Sequence, residues 1–134
     1  MKRFAAYLLV ASLVLGILGA CKPAEKKEAA AQTKQETIKI GHTVALTGPS
    51  ATWGQSEANA LKMAIEKINA GGGVLGKQLE VIAYDNRADR MEAVNVAKRL
   101  IEQDKVVAII GPAQSGVANA IREVNNSAKV PVIV

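Results

Sequence analysis

From Ile38 to Val134, short apolar runs alternate with stretches in which apolar residues recur every three or four positions. That alternation restricts the fold more than any other feature of the chain. Ile38–Leu46 (IKIGHTVAL) is apolar and β-branched enough for a buried strand, and it ends at the turn cluster Thr47-Gly48-Pro49-Ser50. Ala58, Leu61, Ile65 and Ile68 then form an amphipathic stripe, stopped by Gly71-Gly72-Gly73. Leu79–Tyr84 reads as a second strand. Asp89, with Glu92 three residues on, has the spacing of an acidic capping box opening a helix whose buried face is Val94, Ala97, Leu100 and Ile101. Val106–Ile110 is a third strand, stopped by Gly111-Pro112. Val117, Ile121 and Val124 place a third helix after Ser115, and Val130–Val134 begins a fourth strand.

The predicted order is β-α-β-α-β-α-β. This is an α/β fold, a doubly wound parallel sheet with helices on both faces and right-handed crossovers. In such sheets a ligand sits at the carboxyl ends of the strands, where the strand order reverses. For the common order 2-1-3-4 that point lies between strands one and three. The loops there, 47–54 and 111–116, are also the richest in Gly, Pro, Ser and Thr. With 49% hydrophobic residues but only 3% aromatic ones, the core must be built from Val, Ile, Leu and Ala, and a disordered chain is excluded.

The residues before Ile38 have a different character. Lys2-Arg3 precedes a charge-free run, Phe4–Ala20, with the shape of a secretory signal, and the run is marginal in length as a permanent membrane span. Leu18-Gly19-Ala20-Cys21 resembles the bacterial lipobox, so residues 1–20 read as a lipoprotein signal peptide. The chain's single cysteine, Cys21, is then the lipidated residue and the membrane anchor. Residues 22–37, rich in Ala, Lys, Glu and Gln, read as a tether or a short exposed helix, a spacer in either case. The net charge of +5 comes largely from these segments. The 38–134 portion carries 11 basic and 9 acidic residues, which gives no electrostatic reason to expect a nucleic-acid partner.

Several motifs fail on context. Gly71-x-Gly73-x-x-Gly76 fits the dinucleotide pattern, and Gly71-xxxx-Gly76-Lys77 fits most of a P-loop. Both require a strand before the glycines and a helix after them, and here the order is reversed; Gln78 also stands where a P-loop needs Ser or Thr. A helix stop and surface turn is the reading that remains. His42, the only histidine, has no cysteine or second histidine to form a metal site and reads as structural. Asp85, Asp89 and Glu92 near one strand end are explained by capping and loop roles. Ser115 lies outside a nucleophile elbow, because Ala113 occupies the first glycine position, and it has no evident base. The sequence therefore predicts no catalytic residues, no metal and no cofactor.

With the loops placed, the segments LTGPSATWGQS, INAGGGVLGKQLEVIAYDN and IIGPAQSGVANA make residues 38–134 resemble the N-terminal lobe of the type 1 periplasmic binding proteins. The likeness is to the branched-chain amino acid branch that feeds ABC transporters. The resemblance implies a two-lobed clamp around an amino acid or similar small carboxylate, a transporter permease as partner, and an exported, membrane-anchored location. It places Ser115, with the N–H groups around Gly116, at the ligand carboxylate, and Trp53 on the first loop over the ligand, with hinge packing as that side chain's other use. Gln114 stands where some members have a disulfide cysteine, a bridge that a chain with one Cys cannot make. A sensor domain of a signalling receptor with the same fold is the alternative, and would carry a spanning helix and an output domain. Because the fourth strand has no following loop, the chain is expected to be a first lobe that does not bind ligand alone.

Overall fold

The computed structural model describes residues 36–134; the predicted signal peptide, Cys21 and most of the tether lie outside them. The elements follow the expected order: β1 (Ile38–Val44), α1 (Ala51–Ala70), β2 (Leu79–Asp85), α2 (Arg90–Glu102), β3 (Ala108–Ile110), α3 (Ser115–Ala128) and β4 (Val132–Ile133). All strand pairs are parallel and the sheet order is β2-β1-β3-β4, the predicted 2-1-3-4. β1 pairs along its whole length with β2, from Ile38 opposite Leu79 to Val44 opposite Asp85. On its other edge Ile40–His42 pair with Ala108–Ile110.

Successive residues of β1 point to opposite faces of the sheet. A Cβ on Gly41 would lie 3.0 Å from Leu100 and 3.2 Å from Val106, so that face belongs to α2. His42, the next residue, reaches Glu57 of α1 on the other face, its Nε2 3.3 Å from Oε1. The main core lies under α2 and α3, where Ala93, Val96, Ala97, Leu100, Val106, Ile109, Val117 and Ile121 are buried together. α2 begins as expected at Asp89, whose side chain accepts the Glu92 N–H at 2.8 Å. The reciprocal half of a capping box is not formed, since the Asp89 N–H donates to the Asn86 carbonyl instead.

Some boundaries differ from the sequence reading. β1 stops at Val44 rather than Leu46, β3 contains only the last three residues of the predicted run, and β4 only Val132–Ile133. The α1 stripe is less covered than its periodicity implied: Ala58, Leu61 and Ile65 are half-buried and Ile68 is exposed. α1 has its face of the described sheet to itself, with no flanking helix to enclose the stripe. Its one fully buried residue is Gly54, where a Cβ would stand 2.0 Å from the Ala45 carbonyl oxygen. Glycine is therefore the residue that lets α1 lie directly on the end of β1. The triple glycine acts as read: Gly71 caps α1, and the following turn closes through a Val74–Lys77 bridge.

Candidate functional site

The β1–α1 and β3–α3 connections meet at the carboxyl ends of two adjacent strands, as the strand order requires. Between them lies a cleft of about 410 Å³ lined by Pro49, Ser50, Trp53, Ala113 and Gln114. A second depression of about 630 Å³ continues from Pro49 and Trp53 along α1 to Ser56 and Glu57. Trp53 is not on the loop where the sequence placed it. The helix begins seven residues before its apolar stripe, so Trp53 sits in the first turn of α1, with 71% of its surface exposed to the cleft and to solvent.

The three helix starts differ in how they are capped. α2 is capped by Asp89 and has Glu92 in its first turn. α1 and α3, the two that border the cleft, have no side-chain cap and no acidic residue in the first turn. At α3 the Gln114 carbonyl accepts from Val117 and Ala118 at 2.9 Å each. The N–H groups of Ser115 and Gly116 have no protein acceptor among the described residues, and the Ser115 side chain is exposed beside them. Unpaired N–H groups and the positive end of the helix dipole thus face open space. Of the four predicted site residues, Trp53 and Gln114 line the cleft, and Ser115 and Gly116 follow Gln114 in the first turn of α3. Cys21 lies outside the described residues.

Two neighbours of the site were not legible in the sequence. The Arg90 guanidinium packs against Gly116, where a Cβ would come within 3.1 Å of Nη2, and it adds positive charge to an end that already has it. Glu57 lies behind the β3 terminus, 3.0 Å from where a Gly111 Cβ would be. Gly111 itself has φ +79° and would bring a Cβ within 2.4 Å of the Thr43 carbonyl, so only glycine lets β3 end this close to β1. Both contacts cross between elements far apart in the chain and leave no local pattern.

The first loop is held by Asp85 at the end of β2. Its carboxylate accepts from the Leu46 N–H at 2.8 Å, the Arg87 N–H at 2.9 Å, the Thr47 N–H at 3.4 Å and the Thr47 hydroxyl. Burial alone would raise this carboxyl. The bonds from the Thr47 hydroxyl and from the N–H groups of Arg87, Leu46 and Thr47 outweigh it and hold the pKa below the usual carboxylate value. His42 is 1% exposed and bonded to Glu57, a structural role as expected.

A sequence model of the periplasmic binding protein family matches residues 37–134. The Leu/Ile/Val-binding protein homolog 7 of Brucella abortus is 36% identical over 104 residues, covering 78% of this chain and 26% of that protein. The crystal structure of a branched-chain amino acid transporter substrate-binding protein from Streptococcus pneumoniae, in complex with isoleucine, superposes with a TM-score of 0.71 at 40% identity. It covers 72% of this chain and 28% of the other. A solute-binding protein of an ABC transporter from Rhodopseudomonas palustris, in complex with 3,4-dihydroxybenzoic acid, gives 0.68 at 39% identity over 73% of this chain and 26% of the other. The chain thus spans about a quarter of the length of these relatives.

Asp85 supplies a pH-dependent contribution to stability. Its folded pKa is lowered, so its contribution is present above the ordinary carboxylate pKa and is lost as pH falls through the folded value. Asp85→Asn is expected to lower the melting temperature at pH 7. In melting curves taken from about pH 6 to pH 2, the gap between wild type and variant should close below about pH 4. A gap independent of pH would show that the charge contributes nothing.

Proposed function

The chain belongs to the periplasmic binding protein family, and from that premise we propose that it is the N-terminal lobe of an extracytoplasmic receptor. The receptor captures a branched-chain amino acid, or a related small carboxylate or amide, for an ABC importer. The observation that carries the reading is the bare start of α3. Ser115 offers a hydroxyl, Ser115 and Gly116 offer N–H groups, and no acid competes for them. A carboxylate bound there would exchange water for charge-assisted hydrogen bonds aligned with the helix dipole. Gln114 borders the same pocket, and Trp53 from α1 supplies an apolar surface over the rest of the ligand. The two ligands held by these relatives, isoleucine and 3,4-dihydroxybenzoic acid, have the carboxyl group in common and unlike side groups, which agrees with the carboxylate being the part read by this lobe. The side-chain pocket is then completed by a second lobe, whose closure excludes water.

In this reading residues 1–20 are a signal peptide removed on export, Cys21 carries the lipid, residues 22–37 are the tether, and residues 38–134 are the lobe. The protein therefore works from a membrane anchor on the outer side of the cell membrane, or in the periplasm, with the transporter permease as its partner.

In isothermal titration of the protein with its second lobe against isoleucine, Ser115→Ala is expected to weaken binding by about 1–3 kcal/mol, the usual effect of leaving a charged acceptor one bond short. Trp53→Ala should weaken it through lost apolar contact. Wild-type affinity in both variants would remove these residues from the site.

Cys21→Ser should abolish incorporation of labelled palmitate and recovery of the protein with membranes. Labelling that persists in this variant would overturn the anchor.

A further inference from the structure

The two connections that border the cleft are held in different ways. The first, from β1 to α1, is gathered by the Asp85 carboxylate, which accepts from the Leu46 N–H, the Thr47 N–H and the Thr47 hydroxyl. The second, residues 111–114 between β3 and α3, makes one hydrogen bond to the rest of the lobe among the described residues, from the Gly111 N–H to the Ile133 carbonyl at 2.8 Å. Pro112 has no N–H to add another. The remaining restraint on this connection is the packing of Gly111.

Gly111 is buried, and a Cβ on it would stand 2.4 Å from the Thr43 carbonyl oxygen, 3.0 Å from Glu57 Oε1 and 3.6 Å from His42 Cδ2. The hydrogen that glycine carries in that direction therefore faces two oxygens, and a Cα hydrogen is a weak donor to such groups. The same Oε1 lies 3.3 Å from His42 Nε2. His42 is buried, and its partners across the two ladders are Ala83 and Ile110, which have no polar side chain to offer, so its partner comes from α1. One carboxylate oxygen thus meets β1 and the turn leaving β3 at once. Glu57 follows Trp53 by one helical turn, and both line the depression that continues from the cleft along α1.

We propose that Glu57 is a positioning residue for the ligand site. Its side chain, fixed by His42, seats Gly111 and so sets where the N–H groups of Ser115 and Gly116 stand. The proposal rests on the reading of the α3 start as the carboxylate site. Hydrogen bonds weaken steeply as they are misdirected, and the donors of a first helical turn move together, so a small displacement of the 111–114 connection is felt by every bond to the ligand. This role uses the reach of the side chain rather than its charge. Gln places an oxygen where Glu does, whereas Asp keeps the charge and withdraws it by one methylene.

The test uses nitrogen-15 labelled protein with its second lobe, titrated with isoleucine. Glu57→Asp should move the ligand-free amide resonances of Ser115 and Gly116 and weaken binding at least five-fold. Glu57→Gln should leave those resonances in place and the affinity within two-fold of wild type. Ile65→Ala, half-buried two turns further along α1, is the control for stability lost without displacement, and should lower the melting temperature while leaving resonances and affinity unchanged. Unmoved resonances in Glu57→Asp, the same displacement in Glu57→Gln, or displacement with unchanged affinity would overturn the positioning role, as would an equal effect of Ile65→Ala. If no form of the protein binds isoleucine, the ligand reading fails, and the ligand-free resonances still decide the role of Glu57.

Discussion

β1 is hydrogen-bonded along both edges, to β2 over its full length and to β3 over three residues, and the arrangement at the cleft follows from that position. A strand paired on both sides cannot slide without breaking two ladders at once. Its carboxyl end is therefore fixed relative to those of its neighbours. β2 contributes Asp85, whose carboxylate gathers the Leu46 and Thr47 groups of the loop leaving β1. β3 contributes Gly111, which permits the approach to Thr43 that brings the α3 start within reach of the α1 start. The meeting of the β1–α1 and β3–α3 connections is thus a consequence of backbone pairing, one glycine and one carboxylate.

The sheet order and the two cleft loops were legible because they follow from the alternation of apolar runs, which is a long-range pattern written locally. The start of α1 was not. Gly54, within a stretch of Gly, Ser and Thr, makes that stretch look like a loop, yet the glycine is there because the Ala45 carbonyl leaves no room for a Cβ. Tertiary packing overrode propensity at that position and moved Trp53 from a loop to a helix. The roles of Asp85, Arg90 and Glu57 were equally hidden, since their contacts lie on elements distant in the chain. The capping role of Asp89 was readable because its partner is three residues away.

The two ends of the parallel sheet differ in chemistry. At the carboxyl ends, two helices start without side-chain caps or acidic residues, while the third is capped by Asp89. At the amino ends, the turns carry the exposed Leu75, Lys105 and Lys129, with the exposed Glu102 at the end of α2.

The central claim is that the bare α3 start receives the ligand's carboxylate, and the amide resonances of that turn report on it directly. In nitrogen-15 labelled protein with its second lobe, titrated with isoleucine, the amides of Ser115 and Gly116 should shift saturably and downfield as they acquire an acceptor, with the same midpoint as the Trp53 indole. Saturable binding that leaves Ser115 and Gly116 unmoved, with the shifts gathered elsewhere, would contradict the account.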